Sequence, residues 1–194
     1  MKKSVGARTL AMPAPVWVVG TYDARGRANL MTAAWGGICC SRPPCLAVSL
    51  RKATYTHGSI LSRQAFTVSV PSERHVRQAD YAGLASGRDL DKFARSGLTA
   101  VPSTVVDAPY VQEFPLVLEC RLVRTVELGL HTQFVGEILD VKADEEVLAA
   151  SGLPDLGKVR PIVFDAGLSA YYAVGERLGT AFDIGRPLFD GVKG

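Results

Sequence analysis

The 194-residue sequence predicts a mainly β protein: an antiparallel sheet closed into a barrel, with short helices set between its strands. Three observations lead there. Apolar residues alternate with polar ones in several short runs, and tight-turn residues separate consecutive runs, so neighbours in sequence pair as hairpins. Helical stretches are short and do not alternate regularly with strands, which argues against a doubly wound parallel sheet. Neither a GxGxxG turn nor a Walker lysine occurs, so a bound nucleotide would need another cradle.

Element by element, Val16 to Tyr22 (VWVVGTY) is β-rich, Asp23-Ala24-Arg25-Gly26 has hairpin-turn chemistry, and Arg27 to Trp35 resumes as a strand. Pro43 and Pro44 cannot donate within a central ladder, so Ser41-Arg42-Pro43-Pro44 is a turn and Cys45 to Arg51 is the next strand. Ala53 to Arg63 reads as a helix capped by Thr54 or Thr56. Ala65 to Val70 is a strand, and Pro71-Ser72 opens a helix through Gln78 to Tyr81. Past the loop GLASGR, Asp89 starts a short helix that Gly97 stops. Phe114 to Arg124 and Thr132 to Val141 form a long hairpin around Glu127-Leu128-Gly129. Ala143 to Ala150 follows as a short amphipathic helix, then strands at Pro161 to Phe164 and Ser169 to Ala173. Residues 1–173 make one domain, and the Gly-rich tail 174–194 has no core period, as expected of an arm that packs on a partner chain.

Composition narrows the classes. One domain of this length buries a substantial core, and 47% hydrophobic with 21% charged residues describes a globular chain. No run approaches the ~20 apolar residues of a membrane span. Arg8 and two prolines break the apolar start that a secretory signal needs, so a cytoplasmic location is expected. A formal charge of +3 with scattered Lys and Arg gives no nucleic-acid footprint. Four cysteines, at 39, 40, 45 and 120, do not form a secreted disulfide framework.

Three constellations bear on chemistry. Cys39, Cys40 and Cys45 with His57 lack the paired spacing of a zinc knuckle, and adjacent cysteines on a strand are expected to face opposite sides, so no metal site is assigned. Ser49 and Arg51 share a strand face, Lys52 adds charge, and a helix begins near Thr54, Tyr55 and Thr56; hydroxyls, a guanidinium and free backbone donors together suit a phosphate, although a solvated basic turn has the same pattern. Ser86, Gly87 and Lys92 form a similar set near a second helix start. The histidines, His57, His75 and His131, belong to no recognisable nucleophile motif; His131 stands at the head of a hairpin strand, where it can reach a cleft.

In order, Asn29-Leu30-Met31-Thr32-Ala33-Ala34-Trp35, Cys40-Ser41-Arg42-Pro43-Pro44, Val48-Ser49-Leu50-Arg51 with Tyr55-Thr56, Phe66-Thr67-Val68-Ser69, Asp80-Tyr81-Ala82-Gly83, Ser86-Gly87-Arg88-Asp89, Asp91-Lys92-Phe93 and His131-Thr132-Gln133-Phe134-Val135-Gly136-Glu137 resemble the flavin reductase-like, FMN-binding split-barrel family and its flavoredoxin-type branch. The likeness runs from about Ala14 to Tyr171. It implies a six-stranded antiparallel Greek-key split barrel and a homodimer with FMN held non-covalently near the subunit interface. It further implies an oxidoreductase that passes electrons from NADH, NADPH or a protein donor through FMN to an acceptor, or else a flavin carrier or sensor without turnover.

The resemblance also implies roles for residues. Met31, Thr32, Ala33, Ala34 and Trp35 would line the flavin. Ser49, Leu50, Arg51, Tyr55 and Thr56 would take the ribityl chain and phosphate, and Ser86, Gly87 and Lys92 would close the site, in part from the other chain. His131 matches the position that meets the nicotinamide donor, but Gly129-Leu130 stands where the family has Gly-Asp, and Ser69 stands where it has Asn. Because a flavin performs the electron transfer itself, the missing catalytic triad is expected.

Overall fold

The computed structural model describes residues 1–188; the tail is therefore seen only in part. The strands are β1 (Ala14–Pro15), β2 (Trp17–Tyr22), β3 (Ala28–Ala33), β4 (Gly36–Ser41), β5 (Pro44–Arg51), β6 (Ala65–Val70), β7 (Ala100–Pro102), β8 (Pro109–Val111), β9 (Leu116–Leu128), β10 (His131–Ala143), β11 (Ile162–Asp165) and β12 (Ala170–Ala173). The helices are α1 (Tyr55–Arg63), α2 (Val76–Leu84), α3 (Lys92–Ser96) and α4 (Leu156–Val159). The main sheet runs β3-β2-β6-β9-β10-β5-β4, antiparallel throughout. Its six strands other than β4 are the six that alternation predicts. β4 is the addition: GGICCS carries two glycines at its start and no alternation, and its pairing with β5 only becomes visible in three dimensions.

Local chemistry explains the turns. Asp23 accepts hydrogen bonds from the amides of Arg25 and Arg27 at 2.8 and 2.9 Å, which closes the β2–β3 turn while Gly26 takes φ +77°. Asp91 caps α3 by accepting from the amide of Ala94, and Gly97 ends it at φ +69°. The β9–β10 hairpin extends to Leu128 and His131, longer at its tip than expected, with Gly129 at φ +56° in the turn. Pro71-Ser72 opens one 3-10 turn, Glu73–His75, before α2 begins. The helix expected over Ala143 to Ala150 is only a 3-10 turn at Glu145–Val147, because β10 continues to Ala143 and takes the first residue of that pattern.

Two cores result. Inside the barrel, Val19, Leu46, Val48, Leu50, Phe66, Val68, Cys120 and Phe134 interlock. The Phe66 ring lies 2.5 Å from where a Cβ on Gly136 would stand, so only glycine lets β10 approach. On the outer face of β2 and β3, Val16, Val18 and Leu30 pack with Ala79 and Ala82 of α2, Phe93 of α3 and Ile162 of β11. A three-stranded sheet, β1-β11-β12, pins the N-terminal segment to the body through Ala14↔Phe164 and Pro15↔Val163. By holding Ala14 and Pro15, this small sheet fixes one wall of a cleft at the edge of the main sheet.

Candidate functional site

β3 and β4 are the two edges of the main sheet, and the chain crosses from one to the other at Ala34-Trp35. Among the described residues β3 pairs with β2 on one side only, so the backbone groups of its other edge have no ladder partner there. The Ser49 amide donates to the Trp35 carbonyl at 2.8 Å, tying this crossing to β5. Register then sets the opposite wall: Arg51 faces His131 and Ser49 faces Gln133 across β5 and β10. Directly opposed residues point to the same side of a sheet, so Ser49, Arg51, His131 and Gln133 share one face.

A cleft of about 710 Å³ opens there, a volume suited to a cofactor-sized ligand. Ala34, Trp35, Gly36, Ser49, Leu128 and His131 line it together with Thr9 and Ala11 to Pro15 of the N-terminal segment. Trp35 remains 36% exposed, a large ring held at the mouth. Four sequence-predicted residues therefore meet in this cleft: Ala34, Trp35, Ser49 and His131. Arg51 lies exposed beside them at the end of β5. The N-terminal wall has no signature in the sequence; its prolines and small residues carry no period, and only its pairing with β11 reveals it.

Next to Arg51, α1 begins without a side-chain cap: the Thr54 hydroxyl donates to the Arg51 carbonyl instead. The His57 amide donates to the Thr54 carbonyl, while the Tyr55 and Thr56 amides, in the first turn of this nine-residue helix, stay available to an anion.

Other expected residues are placed differently. Leu50 packs into the barrel core at 1% exposure, so only its backbone can face a ligand. Thr32 turns away from the cleft, its hydroxyl donating to the Ala79 carbonyl of α2. Lys92 is 3% exposed and its Nζ donates to the Ala82 carbonyl at 2.7 Å; burial pulls its pKa down to about 8. Thr56 is buried and accepts from Asn29 Nδ2 at 2.9 Å, while the Tyr55 hydroxyl donates to Asp23 Oδ2 at 2.9 Å. Gly87 sits against this pair, with Asn29 Oδ1 occupying the space that a Cβ would need. The Ser86 hydroxyl accepts from the amide of Arg88, whose guanidinium lies 5.7 Å from the Tyr55 ring centroid. Tyr55, Thr56 and Gly87 therefore belong to a polar knot around Asn29 and Asp23. Met31 and Ala33 stay on β3, Ala33 packed into the barrel core.

Two electrostatic features frame the region. Burial alone would raise the Asp23 carboxyl, but hydrogen bonds from the Arg27 amide, the Tyr55 hydroxyl, the Arg27 guanidinium and the Arg25 amide outweigh it and hold the pKa down at about 2. Beyond His131, His57 Nε2 meets Thr132 Oγ1 at 2.8 Å, and that hydroxyl donates to Glu127 Oε1 at 2.8 Å. Glu127 also pairs with Lys52. Burial keeps the His57 pKa below its usual value, with Glu127 opposing and Lys52 adding to the shift.

Cys39 and Cys40 do not divide between two faces. The register passes from Ile38↔Leu46 to Cys40↔Cys45, so Cys39 and Cys40 both oppose Cys45 across a β-bulge, and both are exposed. Neither lines the cleft. Among the described residues no group of three or more His, Cys, Asp or Glu is arranged to hold a metal ion, and no helix is long and apolar enough to cross a membrane.

Comparison with known proteins decides the family. The family model of the flavin reductase like domain matches residues 8–166, most of the chain. The chain belongs to the flavin reductase-like domain family. Within it, the protein is of the flavoredoxin type. Its fold is similar to that of flavoredoxin of Desulfovibrio vulgaris (Miyazaki F), 59% identical over 95% of this chain and 100% of that one, with a TM-score of 0.92. Flavoredoxin from Methanosarcina acetivorans matches at 33% identity over 97% and 99% of the two chains, TM-score 0.89. A ferric-chelate reductase (NAD(P)H) of Archaeoglobus fulgidus is 32% identical over 115 residues, 56% of this chain and 64% of that protein. A split-barrel protein from Shewanella frigidimarina shares the architecture at 24% identity over 93% of this chain and 100% of that one, TM-score 0.81.

Proposed function

We propose that this protein binds FMN in the cleft between Trp35 and the N-terminal segment and works as an FMN-dependent oxidoreductase of the flavoredoxin type. The observation that carries this reading is the cleft itself, lined by the exposed indole of Trp35, by Ser49 and His131 and by the N-terminal segment, in a chain of this family. These residues fit the group. A flat aromatic ligand needs an apolar slot with a few convergent polar atoms, and the free backbone groups along Met31 to Ala34 are the donors and acceptors a flavin edge requires. Arg51 and the uncapped start of α1 suit the phosphate.

Bound FMN supplies the hydride and electron transfer. The chain's own residues bind and orient: Trp35 and Met12 exclude water from the ring slot, Ser49 hydrogen-bonds, and Arg51 neutralises charge. His131 meets the electron donor or acceptor at the open end. Leu130 in place of an acidic neighbour favours a donor that does not require a carboxylate beside His131, so a protein donor competes with NADH and NADPH. Candidate acceptors are free flavin, a ferric chelate, a sulfur compound or another protein. The active form is a cytoplasmic homodimer with the flavin near its interface, and Ser86, Gly87 and Lys92 shape the region behind β3.

Anaerobic reduction tests this. Purified protein is expected to be yellow and to bleach on addition of NADH, NADPH or a reduced protein donor. Arg51→Ala is expected to lose most of its bound FMN. Full FMN occupancy in that variant would remove the phosphate assignment, and failure of every donor to bleach the protein would remove the oxidoreductase reading in favour of a carrier.

A further inference from the structure

The β4–β5 hairpin gathers three of the four cysteines at one place for which the flavin chemistry has no use. Cys40 and Cys45 are direct partners across the antiparallel pair, and the register shift after Ile38 makes Cys39 the extra residue of a bulge beside them. Antiparallel partners have Cα atoms about 4.5 or about 5.5 Å apart, depending on the kind of pair, and both spacings lie within the roughly 4.4–6.8 Å that a disulfide spans. The two sulfurs differ in access. Cys40 is exposed, with its Sγ donating to the Arg42 carbonyl at 3.3 Å, whereas Cys45 is only 4% exposed. Burial raises the Cys45 thiol, and the neighbouring Cys40 and Cys39 raise it further, which is the electrostatic mark of their closeness.

We propose that Cys40 and Cys45 form a thiol–disulfide exchange site, in which Cys40 attacks an external disulfide and Cys45 resolves the mixed disulfide by closing a cross-strand bond. The Cys40 thiol gives its proton to solvent and its sulfur bonds to one sulfur of R–S–S–R, expelling RS⁻, which takes up a proton. Cys45 then loses its proton, bonds to the Cys40 sulfur, and expels the second RS⁻, which is protonated in turn. The protein dithiol is oxidised by two electrons, and the external disulfide is reduced to two thiols. The exposed member meets the substrate, and the buried one is shielded from forming adducts of its own. Cys39 is not the partner of Cys40, since a vicinal bond demands a strained peptide.

The test uses the reduced full-length protein under argon with oxidised glutathione, followed by alkylation, trypsin digestion and mass spectrometry. The Arg42–Pro43 bond resists trypsin, so Cys39, Cys40 and Cys45 stay on one peptide, residues 28–51. That peptide is expected to lose two hydrogens in the wild type and in Cys39→Ser, with fragmentation placing the bond between Cys40 and Cys45. Cys45→Ser is expected to stop at a stable glutathione adduct on Cys40, and Cys40→Ser to show no loss of two hydrogens from that peptide. Closure in Cys45→Ser, a lasting adduct on the wild type, or no oxidation of the peptide at all would each overturn the proposal. Cys40 is exposed, so its variant reads out even where Cys45→Ser folds poorly.

Discussion

The cleft at Trp35 and the polar knot at Asn29 lie on the same strand, β3, and its continuation, yet they treat their side chains in opposite ways. In the knot, Asp23, Arg27, Tyr55, Thr56 and the Asn29 amide nitrogen hydrogen-bond to one another, Asn29 Oδ1 is left buried without a partner, and Gly87 closes down on it with no room for a Cβ. In the cleft, Trp35, Ser49 and His131 keep their side chains open to a ligand-sized space. The same family pattern contains both groups, so a motif match alone cannot separate a residue that touches a ligand from one that holds the strand still. Hydrogen bonding separates them, because a group already paired inside the protein has little left to offer.

Substitutions should divide along that line. The largest effect is expected from Trp35→Ala, which removes the ring at the cleft mouth: FMN affinity should fall by about 2–3 kcal/mol, as for an aromatic anchor, with the melting temperature of the apoprotein unchanged. Gly87→Ala should do the converse. Its new Cβ meets Asn29 Oδ1, and accommodating it should cost about 1–3 kcal/mol of stability, read as a drop in Tm, with any FMN effect secondary.

Asp23→Asn should rank third, at about 1–2 kcal/mol at neutral pH, since it weakens charge-assisted bonds to Arg27 and Tyr55. The pH dependence carries a sign. In the folded protein the Asp23 pKa is depressed to about 2 from its ordinary value of 3.8. Its contribution is therefore fully present above about pH 4 and is lost as pH falls through about 2. Acid unfolding curves of wild type and Asp23→Asn should converge across that window. Smallest on stability should be His131→Ala, within about 0.5 kcal/mol as for a partly exposed position, while turnover with the electron donor falls.

Six strands of the main sheet were legible in the sequence because period-two alternation marks a strand with one buried face. β4 and the β7–β8 hairpin escaped, the first because its glycines and cysteines do not alternate, the second because three-residue strands are too short to show a period. At the site, Ser49 and Arg51 were readable as one face from alternation, while Ala34, Trp35 and His131 joined them through the family pattern. The N-terminal wall was not readable, because Ala11 to Pro15 acquires its position only through pairing with β11, about 150 residues away along the chain. Thr56 and Gly87 carry the family pattern of ligand contacts. Their neighbours in the fold, Asn29 and Tyr55 among them, are set by tertiary packing that no local pattern encodes.

The most direct test of the flavin's place in the cleft is a fluorescence titration of apoprotein with FMN, run in parallel on the wild type, Trp35→Ala and Gly87→Ala. Tight binding is expected for the wild type, with a loss of about 30-fold or more in Trp35→Ala, corresponding to about 2 kcal/mol or more, and near-wild-type affinity for the folded fraction of Gly87→Ala. Unchanged affinity in Trp35→Ala together with lost affinity in Gly87→Ala would contradict that placement, moving the flavin from the cleft to the knot.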